Sequence, residues 1–186
     1  MSAQAFYQNT IDLLESVDDL LQKRRILPCL TLLYTGIDII AALERAPNES
    51  PKAAFLRWVG QYMNARPALP CSALELYAAR CGILHTFTSA SDLSRQGKAR
   101  KILYAWGTAQ PEALDKAVAL LGSADAVGVK IEALIAAFRN GLADYLQDVQ
   151  VDQRRFAQFE RQAGAWLVHM EPTILRAFVD NEPTAT

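Results

Sequence analysis

Eighteen consecutive residues, ILPCLTLLYTGIDIIAAL from Ile26 to Leu43, carry a single charge, Asp38. A run this apolar must leave water, either inside a folded core or inside a bilayer. Its length approaches one membrane span. Asp38 weighs against that use, because a carboxylate at mid-bilayer costs about 2.5–3.5 kcal/mol on insertion scales. No second hydrophobic span accompanies it. The run therefore reads as the buried central helix of a soluble domain, with no membrane partner.

The other helices follow from apolar spacing and from punctuation. Over 4–23, Phe6, Tyr7, Ile11, Leu13, Leu14, Val17, Leu20 and Leu21 recur at helical intervals. Lys23, Arg24 and Arg25 follow at its C-terminus, where the macrodipole favours cations. Pro28 suits the first position of the next helix, which runs to about Glu44. Ser50 is placed to cap a third helix with Pro51 in its first turn and Phe55, Trp58, Val59 and Tyr62 on one face. Ser72 or Cys71 opens a fourth helix that ends near His85. A polar loop, TFTSASDLSRQGKARK, comes next, and ILYAW reads as a short strand or a buried connector. Pro111 starts a fifth helix through Leu121, and GSADAVG reads as a linker. Further helices are expected over 129–147 and 151–169, and a short one from Pro172 to Asp180. The expectation is an all-α fold: one antiparallel helical bundle over residues 1–180, with a frayed tail at 181–186.

Bulk numbers exclude several classes. A formal charge of −1 gives no global basic field to draw in nucleic acid, so phosphate binding requires a local patch. The three cysteines, Cys29, Cys71 and Cys81, are widely spaced and form no CxxC pair. With an acidic, amphipathic N-terminus unlike a signal peptide, they point to reduced thiols and a cytoplasmic setting. Only two histidines exist, His85 and His169, and no HExxH, di-iron ExxH pair, GxGxxG, GKS/T or GxSxG motif is present. No cofactor and no metal are expected.

One pair of polar residues remains. RCGILH places Arg80 and His85 in the otherwise apolar segment SALELYAARCGILHTF. Arg80 offers a planar fork of donors suited to phosphate, and His85 titrates near neutrality. A metal-independent ribonuclease needs those two functions, because RNA supplies its own 2′-hydroxyl nucleophile. Five residues of helix separate the two by about 140°, so they do not share a face of an ideal helix. They meet only if the helix distorts near Gly82, if His85 lies at a frayed end, or if a second subunit completes the set.

Arg-x4-His late in a helix of an all-α domain resembles the signature of the HEPN superfamily (higher eukaryotes and prokaryotes nucleotide-binding). LLYTGIDIIAAL and the F..WV..YM helix also look like earlier helices of its plasmid- and defence-associated members. The likeness spans about residues 5–150. It implies a HEPN-like bundle with extra C-terminal helices, working as a homodimer whose Arg80 and His85 line a groove between protomers. The implied activity is endonucleolytic RNA cleavage. Cys81 stands where active members often carry a polar residue, which leaves open a catalytically inactive protein that binds a nucleotide or a protein partner. A structural helical adaptor is a second alternative.

Asp38 is a candidate to orient Arg80 or His85; its alternative is a structural ion pair. Arg95, Lys98, Arg100 and Lys101 form the densest basic cluster and are candidate RNA-backbone contacts, or a solvated loop. Phe87, Tyr104 and Trp106 flank that cluster, and core packing is preferred for them over base stacking. Cys81 and His85, four apart, share a face, but a helical cysteine more often packs than reacts. His169 is expected to pack or cap near a helix end.

Overall fold

A computed structural model of the chain describes residues 3–65, 69–120 and 125–165. The described chain is mostly helical, as expected, with two short strands. Helix α1 covers Gln4–Gln22 and α2 covers Ile26–Leu43. The α2 start precedes Pro28 by two residues, so Pro28 is the third helical residue rather than the first. Its missing N–H costs nothing there, because the first four amides of a helix have no intrahelical acceptor.

Half of the α2 residues are buried, among them Leu33, Tyr34 and Ile37 at 0% exposure. Removing side chains of this size from water stabilises by about 1.5–3 kcal/mol each. The helix packs against α1, α3 (Pro51–Trp58), α4 (Ala73–Thr86), α7 (Ile131–Val151) and α8 (Gln153–Ala163). Its apolar surface is thus the hub of the protein core.

Side-chain caps set the other starts. Ser50 Oγ accepts from the Ala53 amide at α3. Ser72 and Glu75 form a reciprocal capping box at α4, which removes Cys71 as the opening residue. Asp152 accepts from the amides of Arg154 and Arg155 at α8. Helix α3 continues into a single π-helical stretch, Val59–Met63. Phe55, Trp58, Val59 and Tyr62 are all buried, as their spacing predicts. Trp58, Tyr62 and Phe138 join Tyr145 in an aromatic cluster of tilted and edge-to-face contacts.

The segment after α4 departs most from the sequence reading. The short α5 (Asp92–Arg95) interrupts the expected loop. ILYAW supplies strand β1, Lys101–Ala105. Helix α6, Pro111–Leu120, follows; Leu121 lies outside the described residues. The expected linker GSADAVG runs instead into strand β2, Ala126–Lys130, which pairs in parallel with β1 from Lys101↔Ala126 to Ala105↔Lys130. Ala126, Val127, Gly128 and Val129 are all buried, so β2 shows no polar–apolar alternation. Gly128 also admits α6: a Cβ there would collide with the Leu114 side chain. Consequently α7 starts at Ile131 and runs to Val151, rather than over 129–147. Helix α8 ends at Ala163; residues 166–169 of the expected helix, His169, the helix to Asp180 and the tail 181–186 lie outside the described residues.

Candidate functional site

Helices α2 and α4 pack side by side and bring Asp38, Arg80 and His85 into one chain of contacts. Arg80 directs both Nε and Nη2 to Asp38 Oδ2, each at 2.6 Å. Its remaining terminal nitrogen, Nη1, lies 3.0 Å from His85 Nε2. A guanidinium only donates, so a hydrogen bond between them requires Nε2 as the acceptor. Arg80 and Asp38 side chains are 21% and 26% exposed, and His85 faces solvent. The relay therefore sits at the surface, anchored from beneath by the core helix α2.

Of the three routes to an Arg80–His85 contact, the helix-end position of His85 is the one present within this chain. Helix α4 remains α-helical through Thr86 and is not broken at Gly82. The contact is made by the length of the arginine side chain, drawn toward α2 by Asp38. His85 lies in the last turn, and the chain reverses immediately after it: Phe87 adopts φ 53°, ψ 34° at the helix end. Gly82 serves that reversal. The Thr88 amide bonds to the Gly82 carbonyl, and a Cβ on Gly82 would sit 2.5 Å from the Thr88 carbonyl oxygen.

Burial opposes the charge on Arg80, but its bonds to Asp38 outweigh that and raise its pKa. Tyr77 lies one turn before Arg80 and Cys81 on α4, and its phenol is pushed up first by burial and then by contact with Cys81. Its ring meets Phe55 edge-on and takes Lys52 Nζ over its face at 5.7 Å. Tyr77 was not singled out from sequence; its i+3 and i+4 spacing to Arg80 and Cys81 was the available signal. Cys81 Sγ lies 4.0 Å from Arg80 Nη1, while His85 Nε2 is engaged by Arg80, so a Cys81–His85 dyad is not assembled.

The basic cluster divides. Arg100 is a structural ion pair: Nε and Nη2 bind the buried Glu75 carboxylate at 2.5 and 3.2 Å, and Nη2 also reaches the Pro70 carbonyl. It ties the start of β1 to the start of α4. Arg95 pairs with Asp92 at 2.7 Å on the surface. Lys98 and Lys101 are exposed. Tyr104 is part of the interior, bonded through its hydroxyl to Tyr34 at 2.6 Å. Phe87 and Trp106 are not core residues; they are 67% and 44% exposed. Among the described residues no group of three or more histidines, cysteines or acids is arranged to hold a metal ion.

Comparison with family models, with curated proteins and with solved structures returns no match.

Proposed function

We propose that the protein is a metal-independent endoribonuclease of HEPN type, with Arg80 and His85 as catalytic residues and Asp38 as the positioning residue for Arg80. The observation that carries this reading is the Asp38–Arg80–His85 relay, which holds a guanidinium and an imidazole at one solvent-facing point. A phosphodiester that binds Arg80 Nη1 displaces His85 from it and frees Nε2 as a base. The 2′-oxygen then forms a bond to phosphorus as its proton passes to Nε2. The bond from phosphorus to the 5′-oxygen breaks, giving a 2′,3′-cyclic phosphate. Arg80 stabilises the added charge on the pentacoordinate phosphate. The leaving 5′-oxygen needs a proton, which one imidazole cannot give while receiving another. A homodimer with two relays across one groove supplies that second imidazole.

The test incubates the full chain with mixed-sequence RNA in EDTA beside Arg80→Ala and His85→Ala. Cleavage with cyclic phosphate and 5′-hydroxyl ends, lost in both variants, is the expected result. A folded protein that cleaves no RNA above the variants refutes the reading, and leaves Arg80 as a phosphate ligand in a binding protein.

A further inference from the structure

Phe87 is the residue in this fold that is hardest to explain by folding alone. It terminates α4 in the left-handed region, a position that glycine or asparagine usually fills because a Cβ is strained there. A bulky residue in such a conformation, itself 67% exposed, gains little packing to offset the strain. Strain of this kind collects at functional sites.

The ring forms one wall of a groove of about 440 Å³, whose other walls come from α1, through Leu20, and from α2, including Leu27, Thr31, Leu32 and Thr35. The volume lies in the range of small-ligand sites. Both threonine hydroxyls are turned back onto their own helix, Thr31 to the Leu27 carbonyl and Thr35 to the Thr31 carbonyl. The wall they present is consequently apolar. The groove also borders the relay on both of its elements. Thr35 precedes Asp38 by one turn on the same side of α2, and Phe87 follows His85 by two residues. An aromatic face and an apolar slot beside a phosphate-binding guanidinium match the two ends of a nucleotide.

We infer that this groove is the base subsite of the Arg80–His85 site, with Phe87 as its stacking residue, so that the ligand class is a nucleotide whose base enters the groove while its phosphate binds Arg80. The inference rests on the phosphate role proposed for Arg80. An apolar slot without hydrogen-bond donors or acceptors discriminates by stacking area, so purines bind better than pyrimidines and adenine does not differ from guanine.

The experiment measures binding of adenosine 3′-monophosphate, uridine 3′-monophosphate, adenosine and inorganic phosphate to the full chain by calorimetry. Adenosine 3′-monophosphate is expected to bind about 5- to 150-fold tighter than inorganic phosphate, the range that base–aromatic stacking supplies. Phe87→Gly and Phe87→Leu bring that ratio near one, and Phe87→Trp preserves it. The Phe87→Gly change also relieves the backbone, so a folded protein is available for measurement. The subsite is overturned if the nucleotide binds no tighter than phosphate, if Phe87→Gly leaves the ratio intact, or if Phe87→Gly abolishes only self-association in sedimentation. The last result would give the groove to a second copy of the chain. Failure of the ribonuclease reading is distinct: RNA is then not cleaved, while nucleotide binding still depends on both Phe87 and Arg80.

Discussion

If Asp38 positions Arg80, the two must be coupled energetically, and a double-mutant cycle measures that coupling. The variants are Asp38→Asn, Arg80→Gln and the double mutant, each unfolded in urea. Two unit charges about 4 Å apart interact by about 4 kcal/mol at an effective dielectric of 20. Side-chain exposures of 21% and 26% admit water, so that value must be discounted. Exposed pairs are worth about 0.2–1 kcal/mol, and breaking a fully buried pair costs about 3–5 kcal/mol. This pair lies between those limits, and two contacts of 2.6 Å to one carboxylate oxygen place it just above the exposed range. The expected coupling is about 1–2 kcal/mol, so the double mutant should cost less than the sum of the two single variants by that amount. If the ribonuclease reading holds, losing that positioning should also slow cleavage in Asp38→Asn, by about tenfold for each 1.36 kcal/mol of transition-state stabilisation lost. A coupling below about 0.3 kcal/mol, within the scatter of independent sites, would refute the reasoning and reduce Asp38 to a solvated surface charge.

Other expectations follow from neighbouring groups. Burial opposes the Glu75 charge, but bonds from Arg100 and Ser72 outweigh it and hold the carboxyl below its usual range. A depressed carboxyl contributes stability above its unfolded value of about 4.3 and loses it as pH falls through the folded value. Glu75→Gln should therefore cost about 1 kcal/mol at neutral pH in urea unfolding, with the gap to wild type closing on acidification. The buried thiols of Cys29 and Cys71 are pushed up to about 11 and about 12, chiefly by desolvation. An aromatic disulfide reagent at pH 8 should thus label Cys81 in the native protein, and the other two only in denaturant. Gly82→Ala should cost about 2 kcal/mol or more in thermal unfolding, because its Cβ meets a backbone oxygen that cannot move aside cheaply. Phe87→Gly should instead stabilise by about 1 kcal/mol by relieving the left-handed backbone.

Helices were legible where sequence carried two signals at once. Ser50 before Pro51, and Ser72 three residues before Glu75, each mark a start by cap chemistry as well as by apolar spacing, and both starts agree with the structure. Strand β2 gave neither signal. Its buried residues form a short continuous apolar run, which periodicity cannot assign, and Gly128 within it reads as a turn residue. The glycine is there because α6 crosses too close for a side chain, a tertiary cause that no local window contains.

The relay was legible in outline. Asp38, Arg80 and His85 were identifiable as residues that break an apolar pattern, and the angle between positions 80 and 85 restricted the last two to meeting through a distorted helix, a helix-end His85 or a second subunit; His85 lies in the last turn of α4. That angle describes the directions in which side chains leave the helix, not where their ends arrive. Arginine has enough rotatable bonds to turn across its own helix, and free rotation would scatter its head over many positions. Asp38 changes this by binding Nε and Nη2 and so fixing the plane of the guanidinium, which leaves Nη1 as the one terminal nitrogen directed to His85. The α2 carboxylate thereby selects which arginine rotamer is occupied, and α4 needs no distortion. The basic cluster divides for the same reason: Arg100 looks identical to Lys98 in a charge count, but the buried Glu75 from a distant turn fixes it in place. In both cases the acid partner, distant in sequence, decides where the guanidinium is held and which of its nitrogens is left for a second contact. Arg100 has its remaining Nη2 contact on a main-chain carbonyl, whereas Arg80 has its Nη1 on an imidazole at the surface, where a phosphate can replace it.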